Sequence, residues 1–329
     1  MGFMTLLPLL VALQSQPGQE GGFWFPVQAS NHAEFNDWVF FFILIVSGIF
    51  LLGITVSAVW FLFKYHRSRA PESEPSPSHS TTIEIVWSVI PAFLLAYMFW
   101  LGFVGFMDHR TPPADAYEIH ATARQWSWSF KYPNGAESDE LHVPLGRPVK
   151  MIMGSQDVIH ALFIPAFRVK QDIVPGRYSD LWFTATVEGE FELYCAEYCG
   201  KDHSSMQSIA FVQPEGQFNA WVEEAADFIS KLPPAEAGAR VFKMKGCAVC
   251  HSTDGSVITG PSFKGQFGTE RELADGSTVV MDENYIRKSI LEPNSQVVAG
   301  FDPVMTNFKG QINDDQIRVL IEFIKSVKE

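Results

Sequence analysis

Two long stretches of the chain carry no charge. Val39–Phe63 is an apolar run of 25 residues and Ile85–Met107 another of 23. At about 1.5 Å of rise per residue, each predicts a helix of roughly 35 Å, enough to cross a hydrocarbon core of about 30 Å. Gly48, Gly53 and Pro91 would weaken a soluble helix but are tolerated in lipid. The competing reading, two buried helices of a large soluble core, fits these lengths poorly. From about Tyr117 to Val212 the period changes to two. Trp126, Trp128, Phe130 and Tyr132 alternate with Ser127, Ser129 and Lys131, as a half-buried strand would. Val149–Met153, Val158–Phe163, Leu181–Val187, Phe191–Cys195 and Ser208–Val212 read as further short strands. Turn signals separate them at Pro133-Asn134-Gly135, Pro175-Gly176 and Glu188-Gly189. Strands at this density predict a small antiparallel sandwich or barrel. A short amphipathic helix between Val212 and Lys231 leads to a Leu232-Pro233-Pro234 linker, and helices are predicted over Glu283–Leu291 and Asp314–Val327.

The chain therefore divides into an N-terminal segment (1–36), a transmembrane hairpin (37–110), a β domain (111–231) and a helical domain (232–329). Composition fits that division: 47% hydrophobic and 19% charged, with a mean hydropathy of +0.05, is too apolar for disorder and suggests a membrane part joined to a soluble one. The net charge of −13 argues against nucleic acid as a partner. Most of that acidity lies in residues 108–231, where 18 acidic side chains face 10 basic ones. Lys64, Arg67 and Arg69 follow the first span while Glu34 and Asp37 precede it, so the loop between the spans is cytoplasmic and both soluble domains lie outside. That loop, rich in Pro and Ser, is a solvated connector. The apolar stretch Phe3–Leu13 is either a processed signal or a membrane-surface segment. Glu84 opens the second span. Thr81-x-x-Glu84 fits a capping box, and an acid at the membrane edge also fits proton supply to the interior.

Four cysteines are too few for a disulfide framework, so their spacing carries the meaning. Cys195-x-x-x-Cys199-x-x-x-His203-x-x-Met206, with His160 upstream, offers thiolates, imidazoles and a thioether, a soft set suited to copper. Two thiolates exceed what a single-copper blue site uses, and can bridge two coppers. A Cys195–Cys199 disulfide and a tetrahedral zinc on His160, Cys195, Cys199 and His203 are the alternatives, and neither uses Met206. Further on, Cys247-Ala-Val-Cys250-His251 is the attachment pattern of a c-type haem. A zinc knuckle would want a second Cys pair, and none follows. Met305, between the last two predicted helices, is the expected sixth ligand, and His/Met ligation raises a haem potential.

These motifs, in this order, resemble subunit II of a bacterial cytochrome c oxidase with a cytochrome c domain fused at its C-terminus. The resemblance runs from about Ala33 onward. It implies a multi-domain membrane protein: a two-helix hairpin, a cupredoxin-like Greek-key β-sandwich or barrel, then an all-α class I cytochrome c domain. It implies a dinuclear copper centre, CuA, on His160, Cys195, Cys199, His203, Met206 and the Glu197 carbonyl, with the Glu197 carboxylate on a magnesium ion facing subunit I. Arg124-Gln125-Trp126-Ser127-Trp128 resembles the family's aromatic segment, which makes Trp126 the residue where electrons enter. A strand aromatic of the core is the alternative. Glu84, three residues before Trp87, matches a Glu-x-x-Trp segment associated with proton uptake. Gly260-Pro261 resembles the loop whose carbonyl orients the haem-ligating imidazole, and Thr306 follows Met305 where many relatives have proline. The implied setting is the bacterial plasma membrane, with subunit I, subunit III and a cytochrome c or cytochrome-containing donor complex as partners. All the copper ligands that a quinol oxidase lacks are present. A nitric-oxide or nitrous-oxide reductase component and a membrane-anchored redox shuttle remain as rival functions.

Overall fold

The computed structural model describes residues 21–69 and 78–328, so Phe3–Leu13 and most of the Pro/Ser-rich loop lie outside the described residues. Helices α1 (Ala33–Lys64) and α2 (Thr81–Arg110) are both long and apolar enough to cross a membrane. Leu51, Ile54, Leu62, Phe93 and Phe99 all stand more exposed than buried. Contiguous apolar surface on that scale is untenable in water and suits lipid. The start of α2 corrects the capping-box expectation by one residue. Ser80, not Thr81, is the N-cap, and only the carboxylate arm forms: Glu84 Oε1 accepts the Ser80 N–H at 3.2 Å.

The β domain is a sandwich of ten strands. One sheet runs β3 (Glu137–Ser138), β2 (Ser127–Lys131), β1 (Tyr117–Arg124), β5 (Pro148–Ser155), β8 (Ser179–Thr184). The other runs β4 (Leu141–Pro144), β10 (Gln207–Gln213), β9 (Gly189–Cys195), β6 (His160–Ile164), β7 (Val169–Ile173). Period two holds on β5, where Val149, Met151 and Met153 are buried and their neighbours are not, but not on β6, which is buried at four of its five positions. The antiparallel expectation needs correction, because β1 pairs with β5, and β4 with β10, in parallel. Alternation sets which face a side chain takes and says nothing of the neighbouring strand's direction. The strand expected to contain Trp126 is also broken. Arg124 pairs with Ser127 across a tight hairpin, which leaves Trp126 half-buried in the turn while Trp128, Phe130 and Tyr132 fill the core.

Helix α3 (Glu215–Ala226) closes this domain by burying Phe218 and Val222 against it, and α4 (Phe228–Lys231) leads to the linker. The helical domain holds α5 (Pro234–Met244), the single turn α6 (Cys247–Cys250), α7 (Glu283–Leu291) and α8 (Asp314–Ser326). Asn313 and Gln316 form a full capping box at the start of α8. A two-stranded ribbon, β11 (Glu270–Glu272) with β12 (Thr278–Val280), was not anticipated.

A polar clamp around the buried His32 fixes the β domain over the outer ends of the spans. His32 meets Asp108 through Nδ1 at 2.9 Å and the Trp182 carbonyl through Nε2 at 3.1 Å, while Trp182 Nε1 donates to the Asp108 carbonyl. Beside it Arg168 grips both oxygens of the buried Asp37, at 2.8 and 2.9 Å. A bidentate pair of this kind adds fixed geometry as well as energy.

Candidate metal centre and haem site

Two strand ends and one loop assemble the first site. His160 opens β6, Cys195 ends β9, and the pairing of Leu162 with Cys195 puts them side by side. The loop from Ala196 returns over them, tied at its base by Cys195 N–H to the Met206 carbonyl at 3.1 Å and by Ala196 N–H to the Ala161 carbonyl at 2.9 Å. That closure brings Cys199, His203 and Met206 inward. The two sulfurs stand 3.8 Å apart as free cysteines, which corrects the disulfide reading. His160 Nδ1 lies 3.8 Å from Cys195 Sγ, and His203 Nδ1 lies 3.4 Å from Cys199 Sγ. The Glu197 carbonyl is 3.3 Å from Cys195 Sγ and Met206 Sδ is 3.8 Å from Cys199 Sγ. Each sulfur thus has one imidazole and one weak donor beside it, a set with two equal halves.

The charges of this cluster ask for cations. Burial acts to lower the His160 pKa, and hydrogen bonds to Asp157 and Cys195 outweigh it, lifting the imidazole to about 9. Burial opposes ionisation at Cys195 too, but the His160 hydrogen bond and the Ala161 and Glu197 backbone contacts bring it down to about 6. Burial and the neighbouring Cys195 charge then push Cys199 up to about 12. Two buried thiolates at this separation resist double ionisation unless positive charge sits between them, which is what a pair of bound copper ions supplies. A tetrahedral zinc would leave Met206, 1% exposed, without a role.

Neighbouring side chains hold these candidate ligands in place. Asp157 Oδ1 sits 2.8 Å from His160 Nε2, which orients the ring so that Nδ1 faces the sulfur. Gln125 Nε2 and Trp126 Nε1 both donate to the Cys199 carbonyl, at 2.8 and 3.2 Å. The hairpin turn carrying Trp126 is therefore joined to the ligand loop. Asp157 and Gln125 escaped the sequence reading. A carboxylate three residues before a ligand imidazole was the available signal for the first, and the second had none.

The second site lies in the helical domain. Cys247 and Cys250 flank the single turn α6, and His251 follows in extended conformation. His251 Nδ1 donates to the Pro261 carbonyl at 2.8 Å, which leaves Nε2 for a metal. Gly260 lies so close to the imidazole that a Cβ would meet it, and Phe263 stacks on the ring at 4.7 Å. Burial pushes the Cys247 thiol up to about 11 and Cys250 upward as well. Met305 lies in an irregular stretch between α7 and α8 and packs, like Cys247 and Phe263, against the domain's core. The ligand-bearing loops expose Val257, Ile258 and Val304, apolar surface of the kind a porphyrin covers. The residues fit a covalent haem. Glu84 stands far from both sites along the chain, exposed at the start of α2.

Three family models match the chain in the order of its domains. "Cytochrome C oxidase subunit II, transmembrane domain" matches residues 18–104, "Cytochrome C oxidase subunit II, periplasmic domain" residues 136–212, and "Cytochrome c" residues 235–328. Cytochrome c oxidase subunit 2 of Alkalihalophilus pseudofirmus is 30% identical over 292 residues, covering 84% of this chain and 83% of that protein. The same subunit of a Synechocystis species is 31% identical over 255 residues, covering 62% and 76%. Among solved structures, the periplasmic domain of subunit II of cytochrome oxidase from Bradyrhizobium japonicum is 35% identical, covering 35% of this chain and 96% of that one with a TM-score of 0.34. Two apolar spans that anchor the chain in a membrane, a cupredoxin-like domain whose donors imply copper, and a cytochrome c domain whose motif implies haem c all lie in one polypeptide. The chain belongs to the cytochrome c oxidase subunit II family, in the form that carries a cytochrome c domain, and is one subunit of a haem–copper oxidase.

Proposed function

We propose that this chain is the subunit through which electrons reach a respiratory cytochrome c oxidase of the bacterial plasma membrane, from haem c to the copper pair and on to subunit I, where oxygen is reduced to water with proton translocation. The observation that carries the reading is the convergence of His160, Cys195, Cys199, His203 and Met206 around one buried pair of sulfurs, in a chain that also holds Cys247, Cys250 and His251. When bound, both groups supply one-electron redox change without making or breaking bonds to substrate.

The chain's own residues hold and orient. Cys195, Cys199, His160 and His203 would hold the copper pair, with Met206 and the Glu197 carbonyl as its weaker donors. A preorganised cradle of this kind needs little rearrangement when its charge changes by one. Cys247 and Cys250 would tether the haem, and His251 and Met305 would hold its iron. Trp126, bonded to the Cys199 carbonyl, is the aromatic through which electrons enter the ligand loop. The exposed Glu197 carboxylate takes a magnesium ion shared with subunit I. Glu84, at the cytoplasmic edge, feeds protons to the partner. The exposed Glu190 and Glu192 on β9 favour a basic donor, steered by charge. Subunit III completes the assembly.

The test is purification with partners. A large subunit containing haem and copper, cytochrome c oxidation coupled to oxygen uptake, and retention of this chain are expected. A large subunit that reduces nitric oxide and not oxygen would favour the reductase reading, and isolation without any large subunit would favour a membrane-anchored shuttle.

A further inference from the structure

Arg and Lys are almost never fully buried unless paired, yet Arg124 and Lys245 are 5% and 4% exposed. Neither is a cofactor ligand, and they come from different domains. Lys245 Nζ meets Glu137 Oε2 of the β domain at 2.5 Å and the Gln311 carbonyl of its own domain at 2.8 Å. Arg124 reaches the other way, donating to the Lys245 carbonyl and to Gln311 Oε1 at 3.3 Å, with its guanidinium over the Phe308 ring at 4.7 Å. Its Nε donates to Ser127 Oγ at 3.0 Å, and the Ser127 side chain lies so close to Gly246 that no Cβ would fit there. At the rim, Lys243 pairs with Glu140 at 3.0 Å.

From these contacts we infer that Arg124 and the Lys245–Glu137 pair are positioning residues: a docking key that seats the haem-bearing turn on the copper domain in one register. The hairpin Arg124–Ser127 touches both sides. Gln125 and Trp126 bond the Cys199 carbonyl, while Ser127 touches Gly246, the residue before Cys247. The turn that would carry the haem is therefore docked in advance, so the domain need not search on its linker. Interfaces between domains of one chain are mobile by default unless large and apolar. A buried ion pair supplies register where area does not. The inference rests on the proposed direction of electron flow and adds to it the residues that fix the distance.

Two readouts on the full-length chain in its complex test it. Carbodiimide joins carboxylates to amines already in contact, so mass spectrometry should recover Lys243–Glu140 links with or without cofactors. In Glu137→Gln and in Lys245→Gln that rim link should fall, and flash-initiated transfer from haem to copper should slow on the order of tenfold or more and become viscosity-dependent, as misplacement of reacting groups predicts. Copper and haem content report folding, and the exchanged pair Glu137→Lys with Lys245→Glu should restore both readouts. Unchanged links and a viscosity-independent rate in both single variants would overturn the docking key. Wild-type links without any transfer from haem to copper would instead sink the electron route, and the positioning role with it.

Discussion

Asp157 Oδ1 stands 2.8 Å from His160 Nε2, and this one contact decides which nitrogen of a wholly buried imidazole faces Cys195. The same carboxylate accepts the backbone N–H groups of Gln125 and Val158, both at 2.7 Å. It therefore ties His160 to the turn that carries Trp126. Asp157→Ala should weaken copper retention by about 10- to 100-fold, the usual cost of losing such a partner. Chelator competition measures it. Asp157→Asn, which keeps an acceptor for the backbone, should fall between the two.

His142 offers a pH prediction for the β domain. Its ring lies stacked between Trp221 at 3.7 Å and Phe211 at 4.7 Å, and burial lowers its pKa to about 4. The unfolded chain would take up that proton near pH 6.5 while the fold refuses it, so stability falls as pH drops from 6.5 towards 4. The loss approaches about 3 kcal/mol. Thermal midpoints of the β domain should decline across this window and decline less in His142→Phe. Equal slopes in the two proteins would refute the assignment.

Gly238 lies where α5 crosses α8, and a Cβ there would overlap the Val319 carbonyl and Phe323. Gly238→Ala must push the helices apart, at a cost of about 1–3 kcal/mol or more. The haem domain's melting midpoint should drop while the copper centre keeps its spectrum.

Glu84→Gln separates two roles of one side chain. Glutamine can still accept the Ser80 N–H, so the helix start should hold within about 0.5 kcal/mol. Turnover coupled to proton uptake should nevertheless fall, with copper and haem content unchanged. Normal turnover in this variant would leave only the cap.

Much of this architecture was legible from the chain because the responsible signals are local. Uncharged runs announce the spans, Cys247–His251 spells its own attachment chemistry, and Cys195 to Met206 lie on a single loop. Glu283–Leu291 was read to the residue from its amphipathic pattern. What escaped depends on contacts far apart in sequence. The hairpin at Gln125-Trp126 lacks the Gly or Pro that marks most turns, so a continuous strand was expected. The parallel pairings of β1 with β5 and β4 with β10 follow from chain crossovers that alternation does not encode. Arg124 and Lys245, 121 residues apart, meet only once two domains have folded and docked.

Metal content of the purified complex, after allowance for the metals of the large subunit, tests the central claim most directly. About two copper ions and one covalently bound haem iron should belong to each copy of this chain, as the soft donor set and the attachment motif require. Stoichiometric zinc in place of copper at the Cys195–Cys199 cluster would contradict it.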